Sequence, residues 1–132
     1  KAAAFVKEAA GLGAKVEQSG SNFSGGQRQR LAIARTIIKP ASIYIFDDSF
    51  SALDFKTDAE LRQALKQDSQ LQNAVSVIVA QRVSTVANAD LIIVLDDGKV
   101  VGQGTHKQLM KDNPVYQEIV YSQIAKGDDQ NA

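Results

Sequence analysis

Three short apolar runs constrain this chain more than any other feature: Ser42–Phe46, Ala74–Ala80 and Asp90–Leu95. A strand with one wet face alternates apolar and polar residues, and these barely alternate. Strands of that kind, separated by helices, imply a parallel sheet covered on both faces. The expected fold class is therefore α/β, a largely parallel sheet flanked by helices. Functional residues in such sheets gather at the carboxyl ends of the strands. Asp47 and Asp48 stand at one such end and Gln81 at another, so a shared crevice is expected there.

The segments between the runs read mostly as helix. Residues 2–10 are Ala-rich and helix-prone, and GLGAKVEQSGSN (11–22) reads as loop. QRQRLAIARTII places Leu31, Ile33, Ala34, Ile37 and Ile38 on one helical face, and Pro40 stops it. Residues 57–67 form an amphipathic helix with Thr57 or Asp58 as its cap and Leu61 and Leu65 one turn apart. Asp97-Gly98 is a strong hairpin turn between LIIVL and KVV. Gly104-Thr105 caps a short helix through Met110, and Pro114 opens a last one over 114–125. The tail KGDDQNA is expected to be disordered.

Composition narrows the function classes. The 132 residues can build a real core, with 44% apolar and 23% charged residues. Fifteen basic and fifteen acidic side chains cancel, so no global field draws the chain to nucleic acid or anionic lipid. Without cysteine there is neither a disulfide framework nor a thiolate metal site. No apolar stretch approaches the roughly 18 residues of a spanning helix, so a membrane link would run through another chain or another segment. The chain opens inside helix-like KAAAFVKEAA with no start methionine, as expected of a piece cut from something longer.

Two short motifs carry chemistry. A carboxylate ending a buried strand, here Asp47, is placed to bind Mg²⁺ opposite a nucleotide phosphate; a second, Asp48, could orient or deprotonate a water. Taken alone the pattern is short and common, and two solvated aspartates opening a loop is the commoner reading. Ser24-Gly25-Gly26-Gln27 is more specific. Two glycines ahead of a helix let backbone approach a ligand, and the free N–H groups favour an anion. Ser24 can cap the helix or give its hydroxyl to a phosphate oxygen; a capped helix after a flexible loop explains the same residues equally well.

Together these motifs bring a family into view. SGGQRQRLAIARTIIKPASIYIFDDSFSALD (24–54) strongly resembles the signature, Walker B and D-loop stretch of ATP-binding cassette (ABC) ATPases, and the likeness runs from Val16 to Ser122. AQRVST (80–85) and GKVVGQGTH (98–106) resemble stretches of multidrug and lipid exporters in particular. The resemblance implies that Phe23–Gln27 is the signature, clasping the γ-phosphate of an ATP held by the opposite subunit, with Phe23 where Leu is usual. It implies that Asp47 supports Mg²⁺ and that Ser51–Asp54 is the D-loop, with Asp54 in contact across the dimer. A P-loop NTPase-like core is implied, with 1–39 as the end of the helical subdomain, 40–125 as core and 126–132 as tail.

Two positions depart from the family pattern. Asp48 stands where competent members carry a catalytic glutamate, and Gln81 where they carry a switch histidine. The shorter carboxylate falls about 1.5 Å short of a glutamate's reach. Misplacement on that scale can cost about a hundredfold in rate. Glutamine has no titratable imidazole. No G-x-x-x-x-G-K-[ST] occurs, and GLGAK (11–15) has the wrong glycine spacing and no Ser or Thr after Lys15. The resemblance puts Walker A upstream of Lys1, so this chain alone is expected to be inactive.

The implied function is an energy-coupling ATPase domain of an exporter, from the degenerate half of a heterodimer, using ATP and Mg²⁺. Its implied partners are a transmembrane domain and a second nucleotide-binding domain, at the cytoplasmic face of the membrane, with no nucleic acid. Two rivals stand beside it. One is a soluble ABC ATPase of translation or DNA repair, which typically lacks the Ser84-Thr85 stretch. The other is a non-catalytic nucleotide sensor, which Asp48 and Gln81 allow. His106 stands alone and reads as a structural residue opening a helix; Tyr44 reads as core with its hydroxyl paired. Arg28, Arg30, Arg35 and Lys39 read as solvated surface or interdomain contacts.

Overall fold

The computed structural model describes residues 2–125, so the 126–132 tail lies outside the described residues. The chain divides into two units, one ending at Val79 and the other starting at Ala80.

In the first unit, helix α1 (Ala3–Glu8) leads through a loop with short 3-10 turns into α2 (Gly25–Ile37). Strand β1 (Ile43–Asp47) follows, then α3 (Phe55–Gln67), α4 (Ser69–Gln72) and β2 (Val75–Val79). The two strands pair in parallel, from Ile43 opposite Val75 to Asp47 opposite Val79. Helix α2 ends ahead of Pro40, in accord with the steric restriction a proline places on the residue before it.

The core of this unit joins Ile33 of α2, Tyr44 and Phe46 of β1, Phe50, Leu53, Leu61 and Leu65 of α3, and Leu71. Burying a side chain such as Phe46 or Ile33 contributes about 1.5–3 kcal/mol each. Tyr44 sits inside this core with its hydroxyl donating to the Lys39 carbonyl and accepting from the Ala41 N–H, as a buried phenol requires.

The expectation of two covered sheet faces is not met among the described residues. In-register pairing puts Ile43, Ile45 and Asp47 on one face with Val75, Val77 and Val79. Ile45 is 66% exposed and Val75 61%. Helices α2 and α3 pack on the Tyr44 and Phe46 side, and nothing described covers the other. The absence of polar alternation thus matches an apolar second face, one left open among the described residues. Asp47 ends that open face.

Helix α3 starts two residues earlier than the sequence indicates. Its cap is Asp54, whose Oδ1 accepts from the Thr57 N–H at 2.9 Å. Asp58, read as a candidate cap, is instead buried at 1% exposure and gripped by Arg62 one turn on, Nε to Oδ1 at 2.8 Å and Nη2 to Oδ2 at 3.2 Å. A buried carboxylate stripped of its partner is strongly destabilising. Arg62→Ala is therefore expected to cost about 3 kcal/mol in the full-length protein. Denaturant unfolding checks it; a loss below about 0.5 kcal/mol, the scale of an ordinary surface change, contradicts it.

The second unit contains α5 (Val83–Val86), β3 (Ile92–Asp96), β4 (Lys99–Gly104), α6 (His106–Asp112) and α7 (Pro114–Ala125). The third apolar run has an antiparallel partner among the described residues. It pairs with β4, from Ile92 opposite Gly104 to Asp96 opposite Lys99. Asp97 and Gly98 both take positive φ, 46° and 71°, as the tight hairpin turn between these strands demands. Thr105 and Gln108 form a reciprocal capping box for α6, and Asn113 Oδ1 receives the Tyr116 N–H at the start of α7. Val83, Ile92, Val94, Leu109, Tyr116 and Val120 make the core here. His106 lies 2.8 Å from the Tyr116 hydroxyl, within hydrogen-bond distance, in the structural place expected of it. No helix among the described residues is long and apolar enough to cross a membrane.

Candidate functional site

The amino end of α2 is the first half of the site. Ser24 is extended (φ −64°, ψ 161°), and its Oγ accepts from the Gln27 N–H while the Gln27 Oε1 accepts from the Ser24 N–H. Capping leaves the Ser24 hydroxyl hydrogen able to donate, so the two readings of this serine are compatible. Gly25 and Gly26 open the helix, so their N–H groups have no carbonyl a turn back to meet. No acidic residue occupies the first turn, and the positive end of a 13-residue helix is left for an anion.

The two glycines have different reasons. A Cβ at Gly26 would lie 2.9 Å from the Ala52 carbonyl oxygen, so the 51–54 turn behind the helix requires glycine there. A Cβ at Gly25 would make only ordinary contact, 3.4 Å from the Ala52 Cβ. Neither packing nor conformation demands glycine at 25, so the fold itself leaves room there for close approach from outside.

The second half lies at the end of β1. Asp47 is exposed at the strand's last position, and Asp48 follows with a left-handed backbone, φ 47°. Its N–H donates to the Val79 carbonyl at 3.0 Å, tying it to the end of β2. Its carbonyl accepts from Gln29 Nε2 at 3.1 Å and from Ser51 Oγ at 3.0 Å. No group of three or more metal-ligating side chains exists among the described residues. One or two carboxylates at a strand end suit Mg²⁺, which keeps waters and takes phosphate oxygens for its other positions. Asp47 and Asp48 fit that ion in this limited sense.

Asp54, the third acidic candidate, caps α3, and the hydrogen bond from the Thr57 backbone holds its carboxyl below the ordinary 3.8. It stays ionised at neutral pH. Gln81 belongs to the second unit and is exposed. Gln123 of α7 brackets it, donating to the Gln81 carbonyl at 2.6 Å and accepting from the Val83 N–H at 2.8 Å. The first unit thus brings Gly25 and Gly26 against the 51–54 turn and, through Gln29, against Asp48.

Sequence reasoning missed Gln29 and Gln123, and did not foresee the local contacts of two arginines. Arg28 donates to the Phe23 carbonyl at 2.6 Å and the Gly20 carbonyl at 3.3 Å. Arg30 stacks over the Phe5 ring at 4.8 Å. Arg28 ties the loop before α2 while remaining exposed, and Arg30 packs on α1 through Phe5. Phe23 is buried, edge-on to Phe5 with centroids 6.2 Å apart, so the larger ring at this position has a built partner.

The sequence profile described as ABC transporter matches residues 1–51. An uncharacterized ABC transporter ATP-binding protein of Mycobacterium tuberculosis is 54% identical over 113 residues, 86% of this chain and 19% of that protein. The chain belongs to the ABC transporter ATP-binding family. An ATP-dependent lipid A-core flippase of Neisseria meningitidis is 49% identical over 80% of this chain and 17% of its own length. A bacterial Atm1-family ABC exporter, solved with ATP bound, matches at TM-score 0.82 and 35% identity, over 93% of this chain and 22% of that one. The chain therefore spans about a fifth of the length of these ABC relatives.

Proposed function

We propose that this chain is the C-terminal part of the ATP-binding and ATP-hydrolysing domain of an ABC exporter. It would work at the cytoplasmic face of the membrane, coupled to a transmembrane domain and to a second nucleotide-binding domain. The observation that carries the reading is the amino end of α2, where capped Ser24 and an unforced glycine at 25 expose backbone donors toward an anion. The exporter and flippase names of the relatives favour a membrane transporter over a soluble ABC ATPase.

Roles follow for this chain's own side chains. Ser24, Gly25, Gly26 and Gln27 present donors to the terminal phosphate of an ATP bound mainly by the opposite domain. Asp54, whose carboxylate caps α3, belongs to the turn that meets that domain. Asp47, with help from Asp48, would hold the Mg²⁺ that neutralises phosphate charge when nucleotide is bound. Asp48 is too short to place a water well, and Gln81 can orient a phosphate oxygen but cannot gain charge. This chain's own site is thus degenerate, and its signature face completes a competent site on a different partner chain. The same two residues favour a second reading, a nucleotide-sensing domain that binds without turnover.

On this reading the phosphate-cradling part of the domain packs on the open face of β1 and β2, whose exposed Ile45 and Val75 support it, and that part is needed for binding. The 132-residue chain by itself should bind ATP–Mg²⁺ weakly or not at all. Calorimetric titration giving a dissociation constant in the low micromolar range defeats this reading. Turnover by the full-length protein with its membrane partner separates enzyme from sensor.

A further inference from the structure

We infer that Gln29 is a positioning residue for ATP turnover: its side-chain amide fastens the backbone of Asp48 and the 51–52 turn to the anion-binding helix, a role that rests on the ATPase reading above. The amide is fully used. Its nitrogen donates to the Asp48 carbonyl at 3.1 Å and to Ser51 Oγ at 3.0 Å, and its oxygen accepts from the Ala52 N–H at 3.0 Å. A primary amide has two hydrogens to give, and both are spent on a single turn of chain.

Position along the helix explains how one side chain does this. Gln29 stands four residues after Gly25 and three after Gly26, so all three share one face of α2. That face lies against Ala52, with the close approach at Gly26 letting the helix and the turn come near enough for the amide to reach. Gln29 is itself half-buried there.

The bonds act on the backbone of Asp48 and on the turn that follows it. A left-handed backbone at a non-glycine residue costs on the order of 1 kcal/mol, and it persists only where surroundings enforce it. Here the Val79 carbonyl holds the Asp48 N–H, while Gln29 and Ser51 hold its carbonyl. The direction of the Asp48 carboxylate is set by that backbone. Because the Asp48 carboxylate itself adds little to turnover, the larger effect is on the 51–52 turn. Gln29 holds that turn against α2, so that the helix meeting one ATP and the strand end meeting another move as one body. It donates to no phosphate itself.

Two variants in the full-length protein with its membrane partner test this. Gln29→Leu keeps the bulk and deletes all three bonds; Gln29→Glu keeps an acceptor for Ala52 but cannot donate to the Asp48 carbonyl. Both should lower kcat by about tenfold to a hundredfold. KM for ATP should stay within about twofold, because the binding donors are untouched. Amide hydrogen exchange should quicken by about tenfold over residues 48–53 and hold steady over 31–37. Wild-type kcat in both variants overturns the inference, as does a loss confined to KM or exchange that quickens throughout the first unit. A wild-type protein without turnover sinks the ATPase reading instead. In that event, exchange at 48–53 still decides the fastening, and an unchanged rate there refutes it.

Discussion

Gly25→Asp in the full-length protein is expected to cut ATP turnover by a hundredfold or more. The side chain has room on the protein side, where a Cβ meets only the Ala52 methyl at 3.4 Å, so folding should survive. What it obstructs is the outer approach to the first N–H groups of α2, and its negative charge sits where an anion is to be held. Losing one preorganised donor of this kind typically costs about 2.7–4 kcal/mol of barrier, which is the hundredfold or more expected. Asp48→Asn should act far more weakly, because the carboxylate it removes is already too short to activate water. The comparison is made on the assembled transporter, with turnover of the two variants measured side by side. If Asp48→Asn proves the more damaging change, the signature face is not the side of this chain that matters for catalysis.

That prediction leans on features of very different visibility. The glycines, the cap at Ser24 and the aspartates at the end of an apolar run are local patterns, and so are Asp97-Gly98 and Pro114, whose elements appear where the residues put them. Local chemistry fixes such features, since a turn or cap is decided within four or five residues. The bonds of Gln29 span 19 to 23 residues and those of Gln123 span 40 and 42, and no spacing rule marks one glutamine among many as the one that reaches. Asp58 misled for a related reason. An acid near a helix start reads as a cap, and only the packing of α3 shows that Asp54 caps while Asp58 is buried with Arg62. The apolar second face of β1 and β2 was legible as apolar, and among the described residues it stays open.

Asp48→Glu combined with Gln81→His is expected to raise turnover at this chain's own site by up to about a hundredfold, the penalty assigned to a carboxylate misplaced by a bond length. Glutamate supplies the extra methylene, and histidine supplies a side chain that can carry charge, which the proposed function asks of position 81. The backbone adds a condition. Asp48 is left-handed, φ 47°, a conformation that aspartate tolerates better than longer side chains do. The double variant should therefore lose on the order of 1 kcal/mol of stability while gaining rate. Because most substitutions destabilise whatever they do to rate, turnover is the readout that decides and the stability loss only checks the backbone account. Turnover is measured in the full-length complex with the partner's site disabled, and stability by denaturant unfolding of the same protein. Unchanged hydrolysis in the double variant means that something other than these two residues limits the site. Increased hydrolysis from Gln81→His alone, with Asp48→Glu adding nothing, assigns the weakness to the missing imidazole and clears the short carboxylate.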